Sequence, residues 1–409
     1  LPFLDISGIV VSRREAGQIM TAAFSTRPAV AGDMYQEEHM ENKLKGIEEV
    51  LLMGPGPSLT HPEVYAALAM PTLGHMDPYF IEIMDGIKGM LQEIFQTKND
   101  LTIPVSGTGS AGMEAVLVNL IEPGDSVLVV INGVFGKRQL DIAQRLGADA
   151  DALEFKWGSP VIPSEVEAQL KKKKYKIVSM VHAETSTGVR NPAEEVGRLV
   201  KDHGALYILD TVTSLGGIEI AVDRWGVDAI YSGTQKCLSC PPGLSPVSFS
   251  PKAVDVIMNR KTKVPNWYLD MSMVANYWAG KKRAYHHTAP INMLYGLYAA
   301  LHVVLEEGLD KVYRRHADMH KKLVAGLEEL GIKMVVEPEF RLPMLNAVWI
   351  PEGLDDAAGR DRLRREYLIE IGGGLGDFAG KVWRIGLMGN TAREEYVDRL
   401  LKALADITA

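Results

Sequence analysis

Between about residues 100 and 250 the chain alternates two kinds of apolar pattern. Short runs rich in Val and Ile (LTIPVSG, SVLVVING, KIVSMVHAE, ALYILD, AIYSG and SPVSFS) are bounded by Gly, Pro or Asn. Such runs predict strands covered on both faces. Between several of them, residues 113–121, 138–146, 166–170 and 193–201 place apolar side chains on one helical face. Strand–helix alternation predicts an α/β fold with a mostly parallel sheet between helices. Ligands of such sheets bind beyond the carboxyl ends of the strands, so the residues just after each apolar run are the first place to look for chemistry.

The pattern changes near residue 292. Helical spacing runs over 294–305 and again over 310–331, stopping at Gly331; MVVEP and NAVWI read as short strands, 357–368 as a helix and KVWRIGL as a last strand. This predicts a large domain over 46–291 and a smaller α+β domain over 292–409. Residues 1–45 show no sustained periodicity and read as an extension, poorly ordered or draped over a neighbouring subunit; Met40 offers an alternative start.

Composition narrows the function classes. Of 409 residues, 46% are hydrophobic and 23% charged, a globular balance, and the net charge of -8 gives a nucleic-acid role no electrostatic support. The cationic run 171–174 reads as a solvated helix end. The only cysteines, Cys237 and Cys240, form a C-x-x-C. Pro241 and Pro242 follow, and no aromatic-Cys-Gly context precedes, so they read as small buried thiols rather than a redox pair. No metal site is expected. No run of 18 apolar residues predicts a membrane span. LPFLDISGIVVSRR is a poor secretory signal and DITA is no address tag, so a cytoplasmic location is expected.

Four strand ends carry candidate chemistry. In SGTGSAGMEA, Gly107, Gly109 and Gly112 satisfy G-x-G-x-x-G after a strand and before a helix. Backbone amides at such a helix start hold a phosphate, and Thr108 and Ser110 add hydroxyls. A dinucleotide site also needs an acid after the next strand, where Asn132 stands, so the phosphate of another cofactor is favoured over a nicotinamide. In LYILDTVTSLGG, Asp210 closes a strand; it caps a turn, binds a metal or pairs with a cationic ring nitrogen. In YSGTQKCLSCPPG, Lys236 follows a strand among small groups, a setting in which a lysine amine loses its proton and forms a Schiff base. In KVWRIGLMGN, Arg384 interrupts an apolar strand, either as a structural ion pair or as a bidentate clamp on a carboxylate. Phosphate cradle, ring-nitrogen anion, Schiff-base lysine and carboxylate clamp together are what pyridoxal phosphate chemistry on amino acids requires.

From LLMGPGPS at Leu51 to the C-terminus the chain resembles the class V, fold-type I aminotransferases, and within them the alanine–glyoxylate and serine–glyoxylate (serine–pyruvate) group. The stretches that carry the likeness are MGPGPS, PTLGHMDP, FQTKNDLTIPVSGTGSAGMEA, NGVFGKR, HAETSTGV, LDTVTSLGG, YSGTQKCLSCPPG, RKTKVPNWYLD, YHHTAP, EIGGGLG and RIGLMG. The resemblance implies a large domain with a mostly parallel sheet plus a smaller C-terminal α+β domain. It implies pyridoxal 5'-phosphate bound to Lys236, with Asp210 on the ring nitrogen and Val212 against one ring face. Phe135 stands where the family commonly has a stacking tryptophan. Thr185 falls near the cofactor's 3-oxygen, and Thr108, Gly109, Ser110 and Gln235 hold the phosphate. Tyr285 and Thr288 resemble residues that reach the phosphate of the neighbouring subunit, which implies a homodimer with active sites at the interface. Arg384 binds the substrate α-carboxylate, with Gly56 of the GPGP turn nearby.

The activity implied is ping-pong transamination between a small amino acid and a small 2-oxo acid, L-alanine to glyoxylate first, with serine–glyoxylate or serine–pyruvate exchange as the alternative. No motif supplies a second arginine for a dicarboxylate donor. Cysteine desulfuration needs a mobile cysteine in the second domain, and none occurs after Cys240. An NAD-dependent oxidoreductase and a catalytically dead relative are the rivals from other classes.

Overall fold

The computed structural model describes residues 42–278 and 283–408. The extension expected over residues 1–45 lies almost wholly outside them. Residues up to Glu48 form a unit of their own, whose described part is a single 3-10 turn, Lys43–Gly46, started by Asn42 Oδ1 accepting the Leu44 N–H.

From Glu49 onward the chain is one compact unit. It enters through a short strand, β1 (Leu51–Leu52), and then builds β2 (Leu101–Ser106), β3 (Ser126–Ile131), β4 (Asp149–Glu154), β5 (Ile177–Val181), the hairpin β6 (Ala183–Glu184) and β7 (Val189–Arg190), β8 (Leu206–Asp210), β9 (Ala229–Tyr231) and β10 (Leu244–Phe249). Seven of these form one sheet in the order β2-β10-β9-β8-β5-β3-β4. Every pairing in it is parallel except the two made by β10. β5, β8, β9 and β10 are buried at every residue, as continuous apolar runs require when both faces are covered. The edge strand β4 is half exposed and reads DADALE; without an apolar face it carries no strand signal, and sequence reading passes over it.

The helix after β2, Gly109–Leu120, starts four residues before the periodic stretch because its first turn is made of small residues. Gly112 is needed there for packing: a Cβ would stand 1.9 Å from Ser245 Oγ of β10.

A second hydrophobic core lies under a three-stranded sheet of β11 (Leu345–Trp349), β13 (Gly372–Gly373) and β14 (Val382–Gly386), with β12 (Ile369–Glu370) pairing parallel to β1. The division read from sequence differs here in three ways. The helix Ile291–Glu307, assigned to the small domain, packs on the helices Pro62–Leu68 and Pro78–Phe95 and contributes Leu294, Leu297 and Leu301 to the first core. Leu51 and Met53, at the other end of the chain, belong to the second core. MVVEP forms only the isolated bridge Met334–Val348 and gives way to a 3-10 turn at Pro338–Phe340. A last helix, Glu394–Thr408, closes this core.

Candidate active site

Because β2, β5, β8 and β9 run in one direction, their carboxyl ends share a rim of the sheet. A cavity of about 160 Å³ opens there, lined by Thr108, Gly109, Ser110, Phe135, Thr185, Asp210, Val212, Gln235 and Lys236. Nine positions singled out from sequence are thus brought together. Thr108 begins the helix Gly109–Leu120 without spending its hydroxyl on a cap bond. Gln235 Oε1 is buried with no hydrogen-bond partner.

Asp210 ends β8 with 3% of its surface exposed. Its Oδ1 accepts the Val212 N–H at 2.8 Å, and its Oδ2 accepts the Tyr231 hydroxyl at 2.7 Å. Burial pushes its carboxyl up to about 6 against those donors and against Lys236 and Arg138. Lys236, 8% exposed, follows β9 by five residues of tight turn. Its Nζ donates to the Pro55 carbonyl. Burial, helped by the Arg384 guanidinium, brings this amine down to about 8, while Cys237 and Asp210 pull the other way. Gly56, at φ +104°, lies over the lysine: a Cβ there would stand 2.6 Å from Nζ.

Arg384 comes from β14 and is 7% exposed. Its Nε donates to the Gly373 carbonyl at 2.8 Å and its Nη1 to the Thr185 carbonyl at 3.3 Å. Through Thr185 the guanidinium abuts the cavity, and among the described residues its Nη2 donates to no acceptor. Burial lowers it to about 10, with Glu184 opposing that shift.

Tyr285 and Thr288 are not brought to this cavity. Tyr285 is 60% exposed, its hydroxyl 3.4 Å from Thr288 Oγ1 and its ring against His75. Beside it Trp267 stacks on His286, while His287 Nε2 and the Tyr268 hydroxyl reach Ser106 Oγ and Ser106 O at the end of β2.

Sequence reading missed Arg138. It lines the cavity edge and lies 4.9 Å from the Phe135 ring centre, so a second arginine is present after all, on the outer turn of a helix where it looks like any surface charge. It also missed Met113 of the lining and Glu184, whose Oε2 is buried without a partner and whose carboxyl burial pushes up to about 7. Cys237 and Cys240 are buried, with thiols pushed by burial up to about 12, which leaves them unreactive. A larger cavity of about 470 Å³ lies behind them, lined by Cys237, Ser239, Glu307 and Arg315; there Glu307 and Arg315 satisfy each other at 2.7 Å. Among the described residues no cluster of metal-ligating side chains occurs, and no helix is long and apolar enough to cross a membrane.

The profile of the family described as Aminotransferase class-V matches residues 60–351. The chain is 43% identical over 357 residues to alanine–glyoxylate aminotransferase of Drosophila melanogaster, covering 86% of this chain and 91% of that one. It is 39% identical over 371 residues to (S)-ureidoglycine–glyoxylate transaminase of Bacillus subtilis, covering 86% and 89%. Among solved structures, alanine–glyoxylate aminotransferase from Nostoc sp. superposes with a TM-score of 0.88 at 46% identity, over 93% of this chain and 100% of the other.

Proposed function

The chain belongs to the class-V aminotransferase family, and on that premise we propose that it transfers the amino group of L-alanine to glyoxylate with pyridoxal 5'-phosphate as cofactor. The observation that carries the reading is one cavity holding a buried amine, Lys236, and a buried carboxylate, Asp210, with a buried guanidinium, Arg384, against it through Thr185.

The residues fit the cofactor. A buried carboxylate suits a protonated ring nitrogen, and Phe135 and Val212 supply apolar walls. The unspent Thr108 hydroxyl and the backbone N–H groups of the helix start at Gly109 suit a phosphate. When bound, the cofactor supplies an aldehyde that carries the amino group and a ring that takes up the electron pair left at the substrate α-carbon.

The chain's own residues do the rest. Lys236 Nζ, whose amine burial brings down to about 8, would take the proton from the substrate α-carbon and deliver it to the carbon that carried the aldehyde, as general base and then acid. Asp210 would hold the ring nitrogen in its protonated form. Arg384 offers Nη2 and its unspent N–H groups to the substrate carboxylate. Gly56, without a side chain, leaves Lys236 the room to swing. Tyr285 and Thr288 serve the pocket of a second copy in a homodimer; the exposure of Tyr285, Trp267 and Tyr268 beside Ser106 supports this.

A donor panel of alanine, serine, (S)-ureidoglycine and glutamate, each with glyoxylate and with pyruvate, tests the reading. Alanine with glyoxylate is expected to give the highest kcat/KM. Turnover confined to glutamate, or none with any pair, overturns it. (S)-Ureidoglycine is the second reading, favoured by the Bacillus subtilis relative and by Arg138, whose side chain lines the cavity edge.

A further inference from the structure

We propose that Ser179, Gln139 and Tyr231 are positioning residues: a buried hydrogen-bond chain in which every proton points toward Asp210, so that the carboxylate is held charged and in one orientation. The chain is assembled from separate elements. Ser179 lies within β5, Gln139 on the helix Val134–Arg145, and Tyr231 at the end of β9, in register with Asp210 at the end of β8. Ser179, Gln139 and Tyr231 expose no surface. Ser179 Oγ donates to Gln139 Oε1 at 2.7 Å, Gln139 Nε2 donates to the Tyr231 hydroxyl oxygen at 2.8 Å, and that hydroxyl donates to Asp210 Oδ2 at 2.7 Å.

The direction follows from what each atom can do. A carboxamide oxygen only accepts and its nitrogen only donates. The Ser179 hydroxyl could donate or accept; in the structure it donates to Oε1, which leaves Nε2 facing Tyr231. A phenol has a single proton, and once its oxygen accepts from Nε2 that proton goes to Asp210. An inverted amide would draw the phenol proton to itself, and Asp210 would then face bare oxygen unless it took up a proton of its own. Gln139, whose hydrogen bonds go to Ser179 and Tyr231, thus decides through Tyr231 which protonation state of Asp210 is satisfied.

Other charges act on Asp210. Lys236, from the turn after β9, and Arg138, from the helix that carries Gln139, favour the ion, while Glu184 of β6 opposes it. His182, after β5, turns its Nδ1 to Ser214 instead. Burial works against the ion throughout, and the Val212 N–H, the Tyr231 hydroxyl and the two cations together hold it, the hydroxyl being the one donor whose direction the buried chain sets. The consequence for a ring nitrogen rests on the cofactor reading above; the consequence for Asp210 itself does not.

The test is the ionisation midpoint of Asp210 in cofactor-free protein, followed by carboxyl NMR with [4-13C]aspartate and assigned by the resonance lost in Asp210→Asn. Tyr231→Phe is expected to raise the midpoint by about one pH unit, the scale of a lost hydrogen bond to a buried carboxylate. Gln139→Leu is expected to raise it by a smaller amount. The double variant is expected to shift no further than Tyr231→Phe alone, because Gln139 acts only through Tyr231. Unmoved midpoints in both single variants, or additive shifts in the double, overturn the chain. Should Tyr231→Phe fail to fold, Ser179→Ala reads the same chain from its far end, with an upward shift expected and none overturning it. In loaded protein, the pH dependence of the cofactor's absorption is expected to move in the same order. A midpoint that moves while that absorption stays fixed leaves the chain intact and overturns the ring-nitrogen reading instead.

Discussion

Two regions deliver charge to one cavity and hold it differently. Asp210 and Lys236 hang from the ends of adjacent parallel strands, β8 and β9, inside the first core. The side-chain donors to Asp210, Tyr231 and behind it Gln139, come from that same core. Arg384 hangs from β14 under the second core and is tied at two places, to Gly373 within its own sheet and to Thr185 of the loop after β6. The first region fixes its groups before any substrate arrives. The second spans two cores, so the position of its guanidinium depends on how the second core is seated. Such a division suits a reaction with one fixed proton-handling apparatus and two exchangeable substrates.

The sharpest break of that comparison is at Lys236. Lys236→Ala is expected to lower kcat by at least about 10³-fold, since no other buried amine lines the cavity to move the proton. Single-turnover kinetics with alanine checks this, and turnover within tenfold of the native rate would move the proton transfer to another group. Asp210→Asn is expected next, with kcat down by about 10²-fold and the far-UV circular dichroism unchanged. The amide keeps the Val212 N–H contact but brings no negative charge to the ring nitrogen. A rate within a factor of three of native separates Asp210 from that nitrogen.

The two regions were also unequally legible in the sequence. The first core announces itself through continuous apolar runs, and a polar residue ending such a run stands out, which is how Asp210, Lys236 and Thr108 were found. Its edge strand, DADALE, was lost because alternate Asp and Ala residues give no apolar face. Arg384 was visible for the same reason as Asp210, a charge within an apolar run. Its surroundings were not, because they are made by pairing across the whole chain: Leu51 with Ile369, and the Gly386 N–H with the Met53 carbonyl at 2.7 Å. No local pattern records such contacts. Tyr231 and Gln139 were hidden differently. Gln139 is the one buried polar side chain of its helix, a signal that could have been read, but its partner Tyr231 at the end of β9 could not.

At the second region, Arg384→Ala is expected to leave kcat within a few-fold and to raise KM for both alanine and glyoxylate by roughly 10- to 100-fold, the loss of a charge-assisted contact of about 1.5–3 kcal/mol. Arg384→Lys is expected to recover only part of this, because an ammonium cannot reproduce the fork that binds two backbone carbonyls and a carboxylate together. A selective fall in kcat, with both KM values unchanged, would show that the guanidinium acts on the first region's chemistry and erase the division.

The smallest effect on activity, and the cleanest separation of the two regions, is the pH dependence of stability in cofactor-free protein. Burial pushes Asp210 up to about 6 and Glu184 up to about 7, and brings Lys236 down to about 8. Above about pH 4 the unfolded chain has released the carboxyl protons that the folded chain still holds, so stability falls as pH rises from about 4 to about 7. Above about pH 8 the folded chain has shed the Lys236 proton while the unfolded chain keeps it until about 10.5, so stability rises again across that window. A minimum in the thermal midpoint is therefore expected between about pH 7 and 8, with each pH unit of displacement worth about 1.4 kcal/mol. Asp210→Asn is expected to flatten the acid limb and Lys236→Met to remove the alkaline one. Arg384→Met is expected to push the alkaline limb to higher pH and, through Glu184, to stretch the upper end of the acid limb, while the part near pH 6 set by Asp210 stays in place, because the Arg384 charge acts on Lys236 and Glu184 and is absent from the groups that set Asp210. A shift with Arg384 of the part near pH 6, the part that Asp210→Asn removes, would mean that the second region reaches that carboxylate too, and that the two regions are one electrostatic unit.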